Sequence, residues 1–139
     1  MMLKMTSVAL ITSFINSLYA FESINDLELN SVLTKPSFLI LNSRQKITMD
    51  GEIAKVVNIS KYQIKNPELK IRSAKFSTDI RAFEADYNRI SNLIDFRYSV
   101  KINTFQEEEL IVESERITFD LEEQKLTSNM PTTAMFDNV

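Results

Sequence analysis

The chain has 139 residues, of which 44% are hydrophobic and 25% charged, and a formal net charge of −3. That is the size of one domain able to bury a modest core. It holds no Cys, His or Trp, which excludes a disulfide framework, thiolate or imidazole metal sites, a cysteine nucleophile, a lipoprotein anchor and a serine triad.

In chain order, residues 1–20 carry Lys4 as their only charge, an apolar stretch over 8–15 and a cleavage-like Asn16-Ser17-Leu18-Tyr19-Ala20. This order predicts a secretory signal, with a short membrane anchor as the alternative. Residues 21–36 have no clear period and read as a linker or capping segment. A β-repeat domain is expected over 37–139. It starts with the apolar run Phe38-Leu39-Ile40-Leu41, consistent with a buried strand. Asp50-Gly51, between Lys46-Ile47-Thr48 and Ile53-Ala54-Lys55-Val56-Val57, predicts a hairpin. Residues 61–65 and 68–72 alternate as strands on either side of Asn66-Pro67. The clearest strand is 93–103, with Ile94, Phe96, Tyr98, Val100 and Ile102 on one face. Glu107-Glu108-Glu109 reads as a solvated turn, and 110–121 as one or two further strands before Met130-Pro131.

A faint repeat of 31 to 32 residues runs through these elements. Ala54, Ile59, Leu69 and Ile71 recur as Ala85, Ile90, Val100 and Ile102, and a looser copy starts at Ser114. Such a period points to stacked supersecondary units that cannot bury an apolar face alone. The fold class is therefore all-β, built from repeated antiparallel hairpin units. An α+β alternative rests on Phe76, Ile80, Phe83, Tyr87, Ile90 and Ile94, whose spacings of four and three draw an amphipathic helix near 76–92.

The charge is uneven. Residues 55–81 carry seven Lys or Arg against Glu68 and Asp79, whereas 82–139 carry 12 acidic and five basic side chains. Such a split suits an anionic ligand or head-to-tail association, or is simply a solvated surface. Catalysis is not expected: there is no phosphate-cradling Gly-rich loop and no nucleophile elbow. The carboxylate pairs Glu84/Asp86 and Glu113/Glu115 sit among solvent-facing positions. No metal or cofactor is expected, and an acidic chain without a recognisable module argues against nucleic acid. Apolar recognition remains. The inward residues of a twisted sheet either close on themselves as core or stay open and line a lipid groove.

Two segments, Phe83-Glu84-Ala85-Asp86-Tyr87 leading to Tyr98-Ser99-Val100-Lys101-Ile102, and Val112-Glu113-Ser114-Glu115-Arg116-Ile117-Thr118-Phe119 leading to Leu126-Thr127-Ser128, carry a resemblance. With Ile53-Ala54-Lys55-Val56 and Asn66-Pro67-Glu68-Leu69, they resemble the periplasmic lipopolysaccharide-export proteins of the LptC and LptA kind over residues 43–134. The resemblance implies an open, V-shaped β-jellyroll that holds lipopolysaccharide acyl chains inside and needs no cofactor. It also implies a periplasmic location, with a tether to the inner membrane left open. Implied partners are lipopolysaccharide, other export proteins of the same fold joined edge to edge, the inner-membrane transporter, and further copies of the chain. On this basis the lipid-binding residues expected are Ile64, Leu69, Ile71, Phe83, Ile94, Phe96, Tyr98, Val100 and Ile102. Lys61, Lys65 and Lys70 are expected at an anionic-ligand rim. The rival expectation is an exported structural or adhesive β-domain that assembles through its strand edges.

Overall fold

A computed structural model describes residues 30–41 and 45–137; the expected leader lies outside them. The described residues form twelve antiparallel strands and no helix. The strands are arranged as bent rungs, each crossing from one sheet to a second. The first rung is β1 (Val32–Thr34) with β2 (Ser37–Leu41), the second β3 (Lys46–Asp50) with β4 (Ile53–Asn58), and the third β5 (Lys61–Lys65) with β6 (Glu68–Arg72). The fourth is β7 (Ser77–Arg81) with β8 (Glu84–Asn88). β9 (Leu93–Phe105) and β10 (Glu109–Asp120) are each a whole rung, and the seventh is β11 (Lys125–Thr127) with β12 (Thr132–Asp137).

Each rung pairs with the next in simple up-and-down order. The first sheet holds β1, β4, β5, β8 and the N-terminal half of β9. The second holds β2, β3, β6, β7 and the C-terminal half of β9. β10 follows β9 across both sheets, with a register shift between Ser114 and Arg116, and then pairs β11 and β12. The two sheets meet along a crease and do not close into a barrel: β1 and β2 form one edge, β11 and β12 the other.

The crease explains the repeat. Two rungs, one up and one down, occupy one period, so residues pointing inward on the same stroke recur about every 31 positions. Ala54 and Ala85 face the interior in one row, joined in register through Ile64. Backbone with positive φ bends alternate rungs, at Lys35 (51°), Asn66 (51°), and Tyr98 and Ser99 (70° and 54°). Hydrogen bonds carry the pairing over the bend, from Lys35 N to Glu52 O (2.8 Å), Glu52 N to Lys65 O (2.9 Å), Asn66 N to Phe83 O (2.8 Å) and Phe83 N to Tyr98 O (3.1 Å). Inside the crease the side chains are small, because the sheets approach each other there: Gly51 and Pro36 share a hydrogen bond, as do Ala82 and Pro67, and Val100 faces Ser114. The turns at the open end of the first sheet repeat as well. The side chains of Asn58, Asn88 and Asp120 each accept a backbone N–H two residues on, the geometry of an Asx turn.

Two expectations change. Asp50-Gly51 is a bend and not a hairpin, since β3 pairs β2 and β6 while β4 pairs β1 and β5. Gly51 does not have a positive φ, so its role is space. A Cβ there would drive into Ile64 Cγ2 beneath it. Gly51→Ala is therefore expected to destabilise the domain by about 1–3 kcal/mol through overpacking, read as a lower urea midpoint with unchanged slope. The helix near 76–92 is also absent. Two five-residue strands meet there at Ala82-Phe83, and the corner shifts the period of two into apparent steps of three and four. β1 lies within 21–36, the segment expected as a linker or cap, and forms the edge strand of the first sheet.

The core is one continuous layer between the sheets. Ile47, Met49, Tyr62, Ile64, Leu69, Ile80, Ile94, Phe96 and their neighbours have no more than a trace of exposure. Outside, polar residues alternate with them and pair across strands. Arg97 bonds both Glu84 (2.9 Å) and Asp86 (2.8 Å), and Arg116 bonds Asp95 (2.7 Å). The hydrogen bond to Asp86, the largest cause, lifts the Arg97 pKa above its ordinary value. The Glu84/Asp86 carboxylates are thus committed to a structural ion cluster on the outer face.

Candidate functional site: an apolar interior that opens along the rungs

Inward residues form rows that cross the rungs, and their exposure changes from one end to the other. In the second sheet one row runs Phe38, Met49, Leu69, Ile80, Ile102, Val112, Ala134. Met49, Leu69 and Ile80 are fully buried and Ile102 nearly so, but Val112 is half-buried and Ala134 exposed. In the first sheet Val56, Tyr62, Tyr87, Ile94, Phe119 and Leu126 form a matching row. Its members are buried up to Phe119, whereas Leu126 is 39% exposed. The interior is sealed along the middle rungs; it opens from the sixth rung in the second sheet and at the seventh in the first.

Rings plug the sealed part. Phe38 from the second sheet packs edge-on against Tyr62 and Tyr87 of the first, at centroid distances of 5.2 and 5.5 Å, and the two tyrosines stack at 6.3 Å. Edge-to-face contact suits the ring quadrupoles and locks the two sheets together. Burial pushes the Tyr87 pKa up to about 12 and raises that of Tyr62, because the phenolate would lose its hydration. At the open end, β10 reads Leu110-Ile111-Val112 and pairs Ala134 and Met135 of β12, so apolar residues occupy both faces of the last strands. Hydroxyls fasten this rung at the crease: Ser114 Oγ lies 3.0 Å from Ser128 Oγ and accepts a hydrogen bond from Thr132 Oγ1 at 3.2 Å.

Comparison with known proteins fits this architecture. The family described as lipopolysaccharide-assembly, LptC-related, matches residues 31–138. The chain belongs to this family. Among solved structures, it is similar to LptH, described as the LptA homologous periplasmic component of the lipopolysaccharide transport device from Pseudomonas aeruginosa. That match has a TM-score of 0.53 at 12% identity and covers 84% of this chain and 99% of LptH. At that identity the likeness establishes the fold, an LptA-like open jellyroll. No curated protein sequence matches the chain significantly.

The residues expected to bind lipid divide into two groups within this LptC-related fold. Ile64, Leu69, Ile71, Ile94, Phe96, Val100 and Ile102 all face the interior and are 5% exposed or less. Phe83 and Tyr98 do not. They stand on the outside of the crease, 63% and 52% exposed, because positive φ at Tyr98 and Ser99 interrupts the alternation that would have placed Tyr98 inward. Lys61, Lys65 and Lys70 lie out of phase with Tyr62, Ile64, Leu69 and Ile71, on the outer faces; Lys61 is 3.8 Å from Asp86 there. Sequence reasoning missed Leu110, Val112 and Leu126, the inward residues that solvent reaches. The β10 strand was recognised, but an apolar Leu-Ile-Val run does not reveal which residue faces which side.

Proposed function

We propose that this LptC-related chain binds lipopolysaccharide through its apolar interior and acts as a non-catalytic bridge in lipopolysaccharide export across the periplasm. The observation that carries the reading is the rise in exposure along the inward rows, from the buried Met49, Leu69 and Ile80 of the second sheet and Tyr62, Tyr87 and Ile94 of the first to Val112, Leu126 and Ala134. A closed domain buries its apolar face throughout. Here the face continues past the last sealed rung, which is what an acyl chain entering from that end requires. Ile102, Phe119 and Val100 then form the floor beneath the entering chain, and Ile64, Leu69, Ile71, Ile94 and Phe96 form the rigid core behind it.

The edges supply the means of assembly. β12 has one unpaired side among the described residues and apolar neighbours on both faces, so it is a template for a strand of another protein of the same fold. Such a partner extends the interior from one protein to the next. Residues 1–20 would direct the chain to the periplasm, as a signal or as a tether to the inner membrane, where the transporter supplies the energy.

The test is lipid capture by the purified chain. Mass spectrometry is expected to find lipopolysaccharide co-purifying from a Gram-negative host, and a neutral apolar dye is expected to gain fluorescence that the lipid competes away. Absence of both, from folded protein, would favour a structural domain that assembles through its edges.

A further inference from the structure

Three turns join strands at the free end of the first sheet, and two of them end in apolar tips. Ile59, between β4 and β5, is 59% exposed, and Ile90, between β8 and β9, is 75% exposed, with the exposed Val57 and Leu93 beside them. The two turns lie side by side, joined by a hydrogen bond from Arg89 N to Ser60 O at 2.7 Å. Their polar groups are used internally. Asn58 Oδ1 accepts from both the N–H and the hydroxyl of Ser60, and Asn88 Oδ1 accepts from the N–H groups of Ile90 and Ser91. What the tips present outward is therefore hydrocarbon, and donors satisfied in this way are not stranded when the turn enters a less polar medium.

Two further observations bear on what covers these tips. The first is charge. Residues 53–63 hold Lys55 and Lys61 and no Asp or Glu, and residues 87–94 hold Arg89 and no Asp or Glu. Lys55 is exposed, and Lys61 is half-exposed beside Asp86. The third turn is the reverse. It adjoins the second through Leu121 N to Asn92 O at 2.9 Å, yet Leu121 is buried and the exposed Glu122 and Glu123 follow Asp120. The second observation is the path of the chain. Asn30, where residues 1–29 join the described domain, donates its N–H to Val56 O at 2.7 Å, next to Val57. The apolar stretch over residues 8–15 is thus connected to the domain at the same end as the apolar tips.

We infer that the first two turns form a docking site for an anionic lipid surface, with Ile59 and Ile90 entering the headgroup region and Lys55 and Lys61 meeting lipid phosphates. The same surface repels the acidic third turn. The domain then docks at a tilt, its early rungs toward the membrane and the seventh rung, where the interior opens, away from it. This contact goes beyond the lipid-binding reading and is independent of it, because no interior residue takes part.

The chain has no Trp, so Ile59→Trp, Ile90→Trp and, on the third turn, Glu122→Trp each place a single reporter in the full chain. Each variant is bound to vesicles of phosphatidylethanolamine and phosphatidylglycerol whose acyl chains carry bromine as a quencher. Emission from positions 59 and 90 is expected to shift to the blue and to be quenched, more by bromine near the headgroups than by bromine deep in the tails, since an interfacial contact reaches about 5–10 Å. Emission from position 122 is expected to do neither, which controls for the affinity of tryptophan itself for interfaces. Ile59→Glu in the Ile90→Trp chain is expected to remove most of the quenching, and vesicles of neutral phosphatidylcholine are expected to weaken it. No quenching at 59 and 90 in vesicle-bound chain would mean a tether without docking, and it overturns the site. So do equal quenching from position 122, equal quenching in neutral vesicles, and failure of the chain to bind vesicles at all. A blue shift without quenching would mark a contact between protein copies and overturns it as well. Dye capture by the interior is read separately, so failure of the docking site and failure of the lipid-binding reading are distinguishable.

Discussion

Replacing Phe96 by alanine is expected to lower the unfolding free energy by about 3–5 kcal/mol, a large share of the roughly 5–15 kcal/mol that a domain of this size has. Phe96 sits at the centre of the fold. It pairs with Ala85 on one side and Ile117 on the other, and it is fully buried. Its neighbours in the row are the small Ala85 and the buried Ile117, with the fully buried Ile64 beyond Ala85, so truncation leaves a gap among side chains already held in their own places. Chemical denaturation of Phe96→Ala against wild type measures the loss; a change below about 1 kcal/mol would mean that the interior around Phe96 is not the packed core described. The same burial makes a charged residue at Phe96 a poor probe of lipid binding, since unfolding alone would abolish capture.

Val112→Glu separates binding from folding. Val112 faces inward between Ile102 and Ala134 but is only half-buried, so a carboxylate there keeps part of its hydration. The expected cost in stability is therefore modest, about 1–2 kcal/mol. An acyl chain passing over it would have to desolvate the charge, and lipid retention is expected to fall at least tenfold, about 1.4 kcal/mol of binding. Lipid content of the purified variant and its thermal midpoint give the two readings. Retention equal to wild type would show that the chain's lipid path does not cross the sixth rung.

The all-β class and the clearest strands were legible because alternation survives in short strands. Residues 61–65 and 68–72 show it, and the structure has strands at those positions. What misled the reading was the crease. A bend shifts the inward phase without ending the rung, so Asp50-Gly51 mimics a hairpin and the corner at Ala82-Phe83 mimics a helix. Tyr98 illustrates the limit: five alternating apolar residues put it inside, and two residues of left-handed backbone turn it out. Sequence carried no glycine there to announce positive φ; the bends fall on Lys35, Asn66, Tyr98 and Ser99 instead. The 31-residue period was visible, but its meaning, one upward and one downward rung, needs the register between Ala54, Ile64 and Ala85.

The candidate site was legible in kind, less so in place. The apolar face of 93–103 was found from its period, and its inward members do line the interior. Exposure, however, depends on which rungs have a facing wall. Phe38 covers Tyr62 and Tyr87 from the opposite sheet, a contact between residues far apart in sequence. The lysines at 61, 65 and 70 were assigned to a rim on charge alone.

The most direct test of the lipid path is photo-crosslinking in cells of a Gram-negative host, from a photoreactive amino acid placed at Leu126 and, as the outward control, at the exposed Lys101. A lipopolysaccharide adduct from position 126 and none from 101 is the predicted result. Adducts from neither position, in exported and folded protein, or equally from both, would contradict an interior that carries lipid.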